Sequence, residues 1–174
     1  MNRLCLMRHA KAVPQRDEAE DHARPLAPRG ERAARAIAEW MAKTGLLPDA
    51  VLCSSAIRTR QSLAAMLPAL GGKPDVHYED GLYLADPRGL LSRLRELPAE
   101  RTTVLVVGHN PGLHELAIGL AGPAGGKLVR RLRENFPTAA LACFELEDGW
   151  PGLGREDARL AHYITPKDLA RDSE

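Results

Sequence analysis

At 174 residues the chain is long enough to bury the core of one domain and short for two, so a single domain over 1–174 is expected. Its 24 basic and 23 acidic residues leave a formal net charge of +1, which excludes the strong basic excess of a typical nucleic-acid binder. No apolar run approaches the roughly 18 residues that a membrane span needs. Three cysteines (Cys5, Cys53 and Cys143) lie in apolar runs without CxxC spacing. They read as small core residues of a reducing compartment rather than a disulfide framework or a zinc site. The N-terminal apolar run is too short for a secretion signal and ends in Arg8-His9, so the cytosol is the expected location.

Strands and helices alternate along the chain. RLCLMRH (3–9) reads as a strand. APRGERAARAIAEWMAKTG (27–45) reads as a helix, with Ala33, Ile37, Trp40 and Met41 at helical spacing and Gly45 as its stop. DAVLCSS (49–55) is a short apolar strand, followed by a helix over IRTRQSLAAMLPALGG (57–72) with Pro68 near its end. PDVHYED (74–80) alternates and reads as a third strand. In DPRGLLSRLREL (86–97), Asp86 is placed to cap a helix and Pro87 to open it. TTVLVVGH (102–109) has the uninterrupted apolar run of a strand buried on both faces. HNPGLHELAIGLAG (109–122) reads as the helix after it, GPAGGKL (122–128) as a loop, and KLVRRLRE (127–134) as a helix with Arg130, Arg131 and Arg133 on a solvated face. AALACFELE (139–147) and ARLAHYIT (158–165) read as two late strands. This alternation predicts an α/β fold: a three-layer sandwich with a mainly parallel central sheet and helices on both faces.

In such sheets ligands bind beyond the carboxyl ends of the strands. Arg8-His9 ends the first strand, Ser54-Ser55 ends the second and leads to Arg58, and Gly108-His109 ends the central one. If these strands are parallel neighbours, two histidines and two arginines converge. Four groups that are cationic, or can become so, repel one another unless an anion sits among them. Arginine suits bidentate recognition of phosphate, and histidine can serve as nucleophile, base or donor near neutral pH. Gly108 is expected to let backbone pass close, and the helix opening at HNPGL offers free N–H groups to an anion.

Three stretches, LMRHAKA (6–12), SSAIRTRQS (54–62) and VVGHNPGL (106–113), resemble in order the signatures of the histidine phosphatase superfamily, which also holds the cofactor-dependent phosphoglycerate mutases. DHARPLAPRG (21–30) and NFPTAALACFEL (135–146) resemble its short phosphohistidine phosphatase branch, the SixA-like proteins. The resemblance implies a phosphoglycerate mutase-like sandwich. It implies His9 as the nucleophile that becomes phosphohistidine, Arg8 and Arg58 on the phosphoryl oxygens, and His109 as a further hydrogen-bond donor. It places Arg24 close enough to touch phosphate or substrate. It implies no metal and no cofactor, because arginine and histidine supply the positive charge. The implied partner is a phosphohistidine-bearing protein, such as a histidine phosphotransfer domain, or a small phosphorylated molecule.

The chain departs from the mutase pattern where those enzymes carry a glutamate acid. In YEDGLYLADPRG the equivalent position falls near Leu84, and spacing justifies none of the neighbouring carboxylates Glu79, Asp80 and Asp86. An alkoxide leaving group needs protonation, whereas imidazole is a far weaker base and needs an acid less. The missing glutamate therefore favours phosphohistidine as substrate. Short loops between the motifs suggest a shallow, open site suited to a protein side chain.

Other readings carry less weight. His114 lacks the acidic or cysteine partners of a catalytic metal site, and His22, His77 and His162 read as surface or satisfied residues. Lys11 could assist an anion or be solvated. GPAGGKL lacks the pattern of a phosphate loop. No GxSxG elbow surrounds Ser54 and Ser55, which read as turning the chain toward Arg58. Two alternatives stand beside the phosphohistidine reading: a small-molecule phosphomonoesterase acting on sugar or nucleotide phosphates, and a non-catalytic phosphate-binding module.

Overall fold

Among the described residues, six strands and six α-helices are set in the order the apolar runs imply. They are β1 (Asn2–Arg8), α1 (Pro28–Thr44), β2 (Ala50–Ser54), α2 (Ile57–Met66), β3 (Asp75–Glu79), α3 (Pro87–Arg95), β4 (Thr103–Gly108), α4 (Gly112–Ala121), α5 (Lys127–Glu134), β5 (Leu141–Leu146), β6 (Ala158–Ile164) and α6 (Pro166–Asp172). The computed structural model describes residues 1–16, 20–154 and 158–172. The strands form one sheet in the order β3-β2-β4-β1-β5-β6. β1, β2, β3 and β4 run parallel, with Arg8 opposite Gly108 and Cys53 opposite Val107. β5 lies antiparallel to β1, and β6 antiparallel to β5.

Helix number explains the reversal. A single helix after a strand returns the chain to the amino edge of the sheet, so the next strand is parallel. Between β4 and β5 the chain forms two helices, α4 and α5. The second brings it back to the carboxyl edge, and β5 has to run the other way.

The strand period of two sorts the apolar side chains into two layers. Leu4, Leu6, Leu52, Val104 and Val106 pack with α3, α4 and α5 residues such as Leu90, Leu113 and Leu132. Cys5, Met7, Val51, Cys53, Leu105 and Val107 pack on the opposite face with Ile37 and Met41 of α1 and Leu63 of α2. The fold is thus the α/β sandwich read from the sequence, with helices on both faces. Ala34, Ile37, Ala38 and Met41 form the buried stripe of α1, while Ala33 and Trp40 flank it, partly buried. The three cysteines are free and buried. Burial pushes the Cys53 thiol up to about 12, which leaves it unreactive. No helix among the described residues is long and apolar enough to cross a membrane.

Caps fall where the residues dictate. Asp86 accepts a hydrogen bond from Gly89 N, with Pro87 in the first turn of α3. Gly45 ends α1 at φ 77°. The glycine expected to admit close backbone is Gly108, but an added Cβ there would meet only the Leu113 side chain, at 3.7 Å. The tight passages are at Gly30, where a Cβ would overlap the Lys11 carbonyl, and at Gly112, where it would overlap the Ala85 carbonyl. Both obstacles are backbone, which cannot yield without moving the loops that carry His9 and Tyr83. Gly112→Ala is expected to destabilise the fold by about 3 kcal/mol, the upper range for overpacking, as measured by urea denaturation.

Candidate active site

The carboxyl edge of β1, β2 and β4 brings Arg8, His9, Arg58 and His109 together. The His9 and His109 rings lie 5.4 Å apart. Their exposures are 6 % and 4 %, and Arg58 at the start of α2 is 2 % exposed. The cluster is more covered than the short loops suggest. A 3₁₀ turn, Asp21–Ala23, folds across it and ties itself to Arg58.

His9 Nδ1 lies 2.8 Å from the Ala10 carbonyl oxygen. A carbonyl only accepts, so Nδ1 carries the proton and donates. Nε2 keeps its lone pair and accepts from Arg58 Nε at 3.4 Å. The loop is fixed from below, because Ala10 N donates to Ser62 Oγ at 2.9 Å, and Ser62 Oγ donates to the Arg58 carbonyl at 2.7 Å. Beneath it, Ala139 holds φ 63° and donates its N–H toward the Arg8 and His9 carbonyls. Burial, then the charges of Arg58 and Arg8, push the His9 pKa down to about 4, against the opposing Ala10 hydrogen bond. His9 is therefore neutral at pH 7, the state in which an imidazole can act as a nucleophile.

His109 takes the opposite tautomer. Arg58 Nη2 lies 3.3 Å from its Nδ1, and a guanidinium only donates, so Nδ1 accepts. Nε2 then carries the proton and donates to Ser54 Oγ at 2.7 Å. Burial and the Arg58 charge push the His109 pKa down to about 3.

Asp21 was not identified from the sequence and stands at the centre of the arginines. Its carbonyl accepts from Arg58 Nη1 at 2.7 Å, and its Oδ2 accepts from Arg58 Nη2 at 2.9 Å. Arg24 Nη2 donates to Oδ1 at 3.1 Å, and Tyr83 O–H donates to Oδ2. The Tyr83 hydrogen bond, then Arg58, hold the Asp21 pKa at about 2, so the carboxyl is ionised. Arg24 reaches the cluster through Asp21 and also donates to the Val13 carbonyl at 3.3 Å. Arg8 Nη1 donates to the Phe136 carbonyl at 3.3 Å. Among the described residues, the buried Nε groups of Arg8 and Arg24 have no hydrogen-bond partner. Arg58 and Arg24 share the Asp21 carboxylate while Arg8 donates to a carbonyl, which leaves two positive charges uncompensated among neutral histidines. The arrangement suits an oxyanion.

Tyr83 also went unrecognised. Its ring meets His109 edge-on at 5.3 Å and His22 at 4.9 Å. His22, read as satisfied, is hydrogen-bonded to Ser55 Oγ at 2.9 Å. Ser54 and Ser55 do turn the chain, since the Ser54 carbonyl accepts from Thr59 Oγ1 and the Ser55 carbonyl from Arg60 Nε. Their hydroxyls additionally hold the two histidines. In the sequence Tyr83 stands next to Leu84, where the mutase glutamate would fall. None of the carboxylates near that position meets the cluster. Glu79 is bound by Arg93 Nε and Nη2 at 2.7 and 2.9 Å, Asp86 caps α3, and Asp80 is exposed. Leu84 is 53 % exposed with φ 51°.

The remaining histidines lie elsewhere. His114 Nε2 meets the Leu132 carbonyl, His77 pairs with Asp75, and His162 packs edge-on against Trp40. Arg131 does more than face solvent: it pairs with Asp168 at 2.6 Å and stacks over Tyr163.

The two depressed histidines set an acid limit on stability. An unfolded imidazole takes up a proton near pH 6.5, while the folded ones resist until about pH 4 and 3. The unfolded state thus binds more protons in that window, and stability falls as pH falls. Between pH 7.5 and pH 5 the loss is expected to be about 2 kcal/mol for each histidine. Urea denaturation of the wild type and of His109→Asn at both pH values checks this, with a shallower loss expected in the variant.

Comparison with known proteins agrees with the geometry. The family model described as "Histidine phosphatase superfamily (branch 1)" matches residues 4–83. An uncharacterised protein of Mycobacterium tuberculosis is 37 % identical over 92 % of this chain and all of its own length. A structure from Nakamurella multipartitia, described as a candidate phosphohistidine phosphatase SixA, is 34 % identical with a TM-score of 0.83, covering 95 % of this chain and 96 % of its own. Another from Agrobacterium tumefaciens, with the same description, is 31 % identical with a TM-score of 0.81 and coverages of 95 % and 98 %. The chain belongs to the histidine phosphatase superfamily, in its SixA-like branch.

Proposed function

We propose that the protein is a phosphatase that works through a phosphohistidine at His9 and acts on phosphohistidine carried by another protein. The observation behind this reading is His9 Nε2, unprotonated because Nδ1 is committed to Ala10, held inside the guanidinium cluster. Nε2 attacks phosphorus in line, forming the new P–N bond as the bond to the leaving group breaks. Arg8, Arg58 and Arg24 balance the charge on the phosphoryl oxygens. A phosphohistidine whose second nitrogen carries a proton departs as neutral imidazole and takes none from the enzyme. This fits a cluster in which Asp21 is ionised, Glu79 and Asp86 are bound elsewhere and Asp80 faces solvent. Water then attacks phosphorus, the P–Nε2 bond breaks to return the lone pair to His9, and phosphate leaves carrying the water's protons. His109 stays neutral and donates from Nδ1 by exchanging tautomer once phosphate takes Arg58 Nη2 from it, its Nε2 then accepting from the Ser54 hydroxyl.

Asp21 holds the Arg58 fork in the free protein, and an incoming phosphoryl group takes those donors from it. Asp21→Asn removes the competing charge. The variant is expected to bind inorganic phosphate about 10-fold more tightly, on the scale of one charge pair at a partly shielded distance. The inhibition constant for phosphate at low ionic strength measures it.

The substrate reading is tested by comparing kcat/KM on a phosphohistidine peptide with that on a phosphoserine peptide and glucose 6-phosphate, in chelator. Preference for phosphohistidine, lost in His9→Ala, supports it. Equal or better turnover of the alkyl phosphates moves the assignment to a small-molecule phosphomonoesterase. No turnover of any of the three leaves a phosphate-binding module.

A further inference from the structure

A groove of about 670 Å³ opens beside the cluster and is not used by the chemistry above. Segment 134–138 forms a wall common to both. On one side the Phe136 carbonyl accepts from Arg8 Nη1 and from Asn110 Nδ2, at 3.3 and 2.8 Å. Its neighbours Asn135, Pro137 and Thr138 line the groove. Lys11, two positions after His9, stands at the junction.

The groove is strongly cationic on a chain of net charge +1. Lys11, Arg29, Lys167, Arg171 and Arg131 line it, against two carboxylates, Glu134 and Asp168. Asp168 is already taken by Arg131. Lys11, Arg29, Lys167 and Arg171 are exposed, and none has an ion-pair partner among the described residues. Meanwhile Arg131 and Tyr163 are fixed against each other, which makes that wall firm. Four unpaired cations, distributed over the loop after β1, the start of α1 and the length of α6, match several carboxylates along an extended chain. The second anionic group of a small molecule would engage only one or two of them.

We propose that this groove is a docking surface for an acidic polypeptide segment of the phosphorylated partner, which seats its carboxylates on these cations while the phosphorylated side chain reaches His9. The inference rests on the phosphoprotein reading, and its test separates the two. Two synthetic peptides carry a central phosphohistidine, flanked by glutamates in one and by lysines in the other. Each is also made with plain histidine for binding by fluorescence anisotropy. Lys167→Glu/Arg171→Glu alters the groove on exposed α6 positions, away from the reacting atoms.

The wild type is expected to bind the unphosphorylated glutamate peptide at least about 10-fold more tightly than the lysine peptide at low salt, an advantage that fades with added salt. The double variant should raise KM for the glutamate phosphopeptide by a similar factor, with kcat unchanged and phosphoramidate turnover intact. Equal binding of the two peptides, or an unchanged KM in the double variant, overturns the docking proposal whatever the catalytic result. Displacement of the glutamate peptide by fructose 1,6-bisphosphate at matched concentration overturns it in favour of a small polyanion. Charge-selective binding without hydrolysis of either phosphopeptide supports the groove and removes the phosphohistidine reading.

Discussion

His9→Ala is expected to lower kcat/KM on a phosphohistidine substrate by roughly 10⁴-fold or more, while leaving phosphate binding within a few-fold of wild type. The two halves of this expectation come from different groups. In the proposed mechanism the lone pair that attacks phosphorus belongs to His9 Nε2, oriented by the Ala10 carbonyl. The charge proposed to bind the oxyanion belongs to Arg8, Arg24 and Arg58, which the substitution leaves in place. Removing the ring also removes one depressed pKa, so the variant should lose less stability than wild type on acidification. Steady-state kinetics with phosphate inhibition decides the matter. Activity within 10-fold of wild type would exclude His9 as the nucleophile.

Arg58→Ala is expected to cost about 10²–10³-fold in kcat/KM, the scale of losing a preorganised charge at a developing oxyanion. Arg58 makes more hydrogen bonds in the cluster than any other side chain described above: Nε meets His9, Nη2 meets His109 and Asp21, and Nη1 meets the Asp21 carbonyl. Its charge also lowers the pKa of both histidines. Removing it raises both values, so the acid limb of the kcat/KM profile should move to higher pH as His9 protonates sooner. Arg58→Lys keeps a charge but loses the fork. It should restore the pH limb more than the rate. A variant that loses rate with no change in the pH limb would contradict the electrostatic part of this role.

Much of the cluster was legible in the sequence because strand ends are legible. Arg8-His9, Ser54 and Gly108-His109 each close an apolar run, and parallel neighbours must deliver such ends to one edge. What stayed hidden depends on contacts between distant positions. Asp21 meets Arg58 across 37 positions and Tyr83 across 62, through a three-residue 3₁₀ turn that leaves no periodic trace. Spacing gave no reason to prefer Asp21 over other acidic residues. Gly30 and Gly112 rather than Gly108 are tight, because the close approaches are to Lys11 and Ala85 on other loops. The antiparallel β5 follows from counting two helices, not one, before it.

The central claim is a covalent phosphate on His9, and trapping it is the most direct test. Enzyme mixed with excess phosphoramidate is quenched within milliseconds in alkaline detergent, where a P–N bond survives, and the modified peptide is found by mass spectrometry. A phosphate on the peptide containing His9, labile to acid and absent in His9→Ala, is the predicted result. Phosphate on another residue, or multiple turnovers with no trapped phosphoenzyme under conditions that trap a control phosphohistidine enzyme, would contradict it.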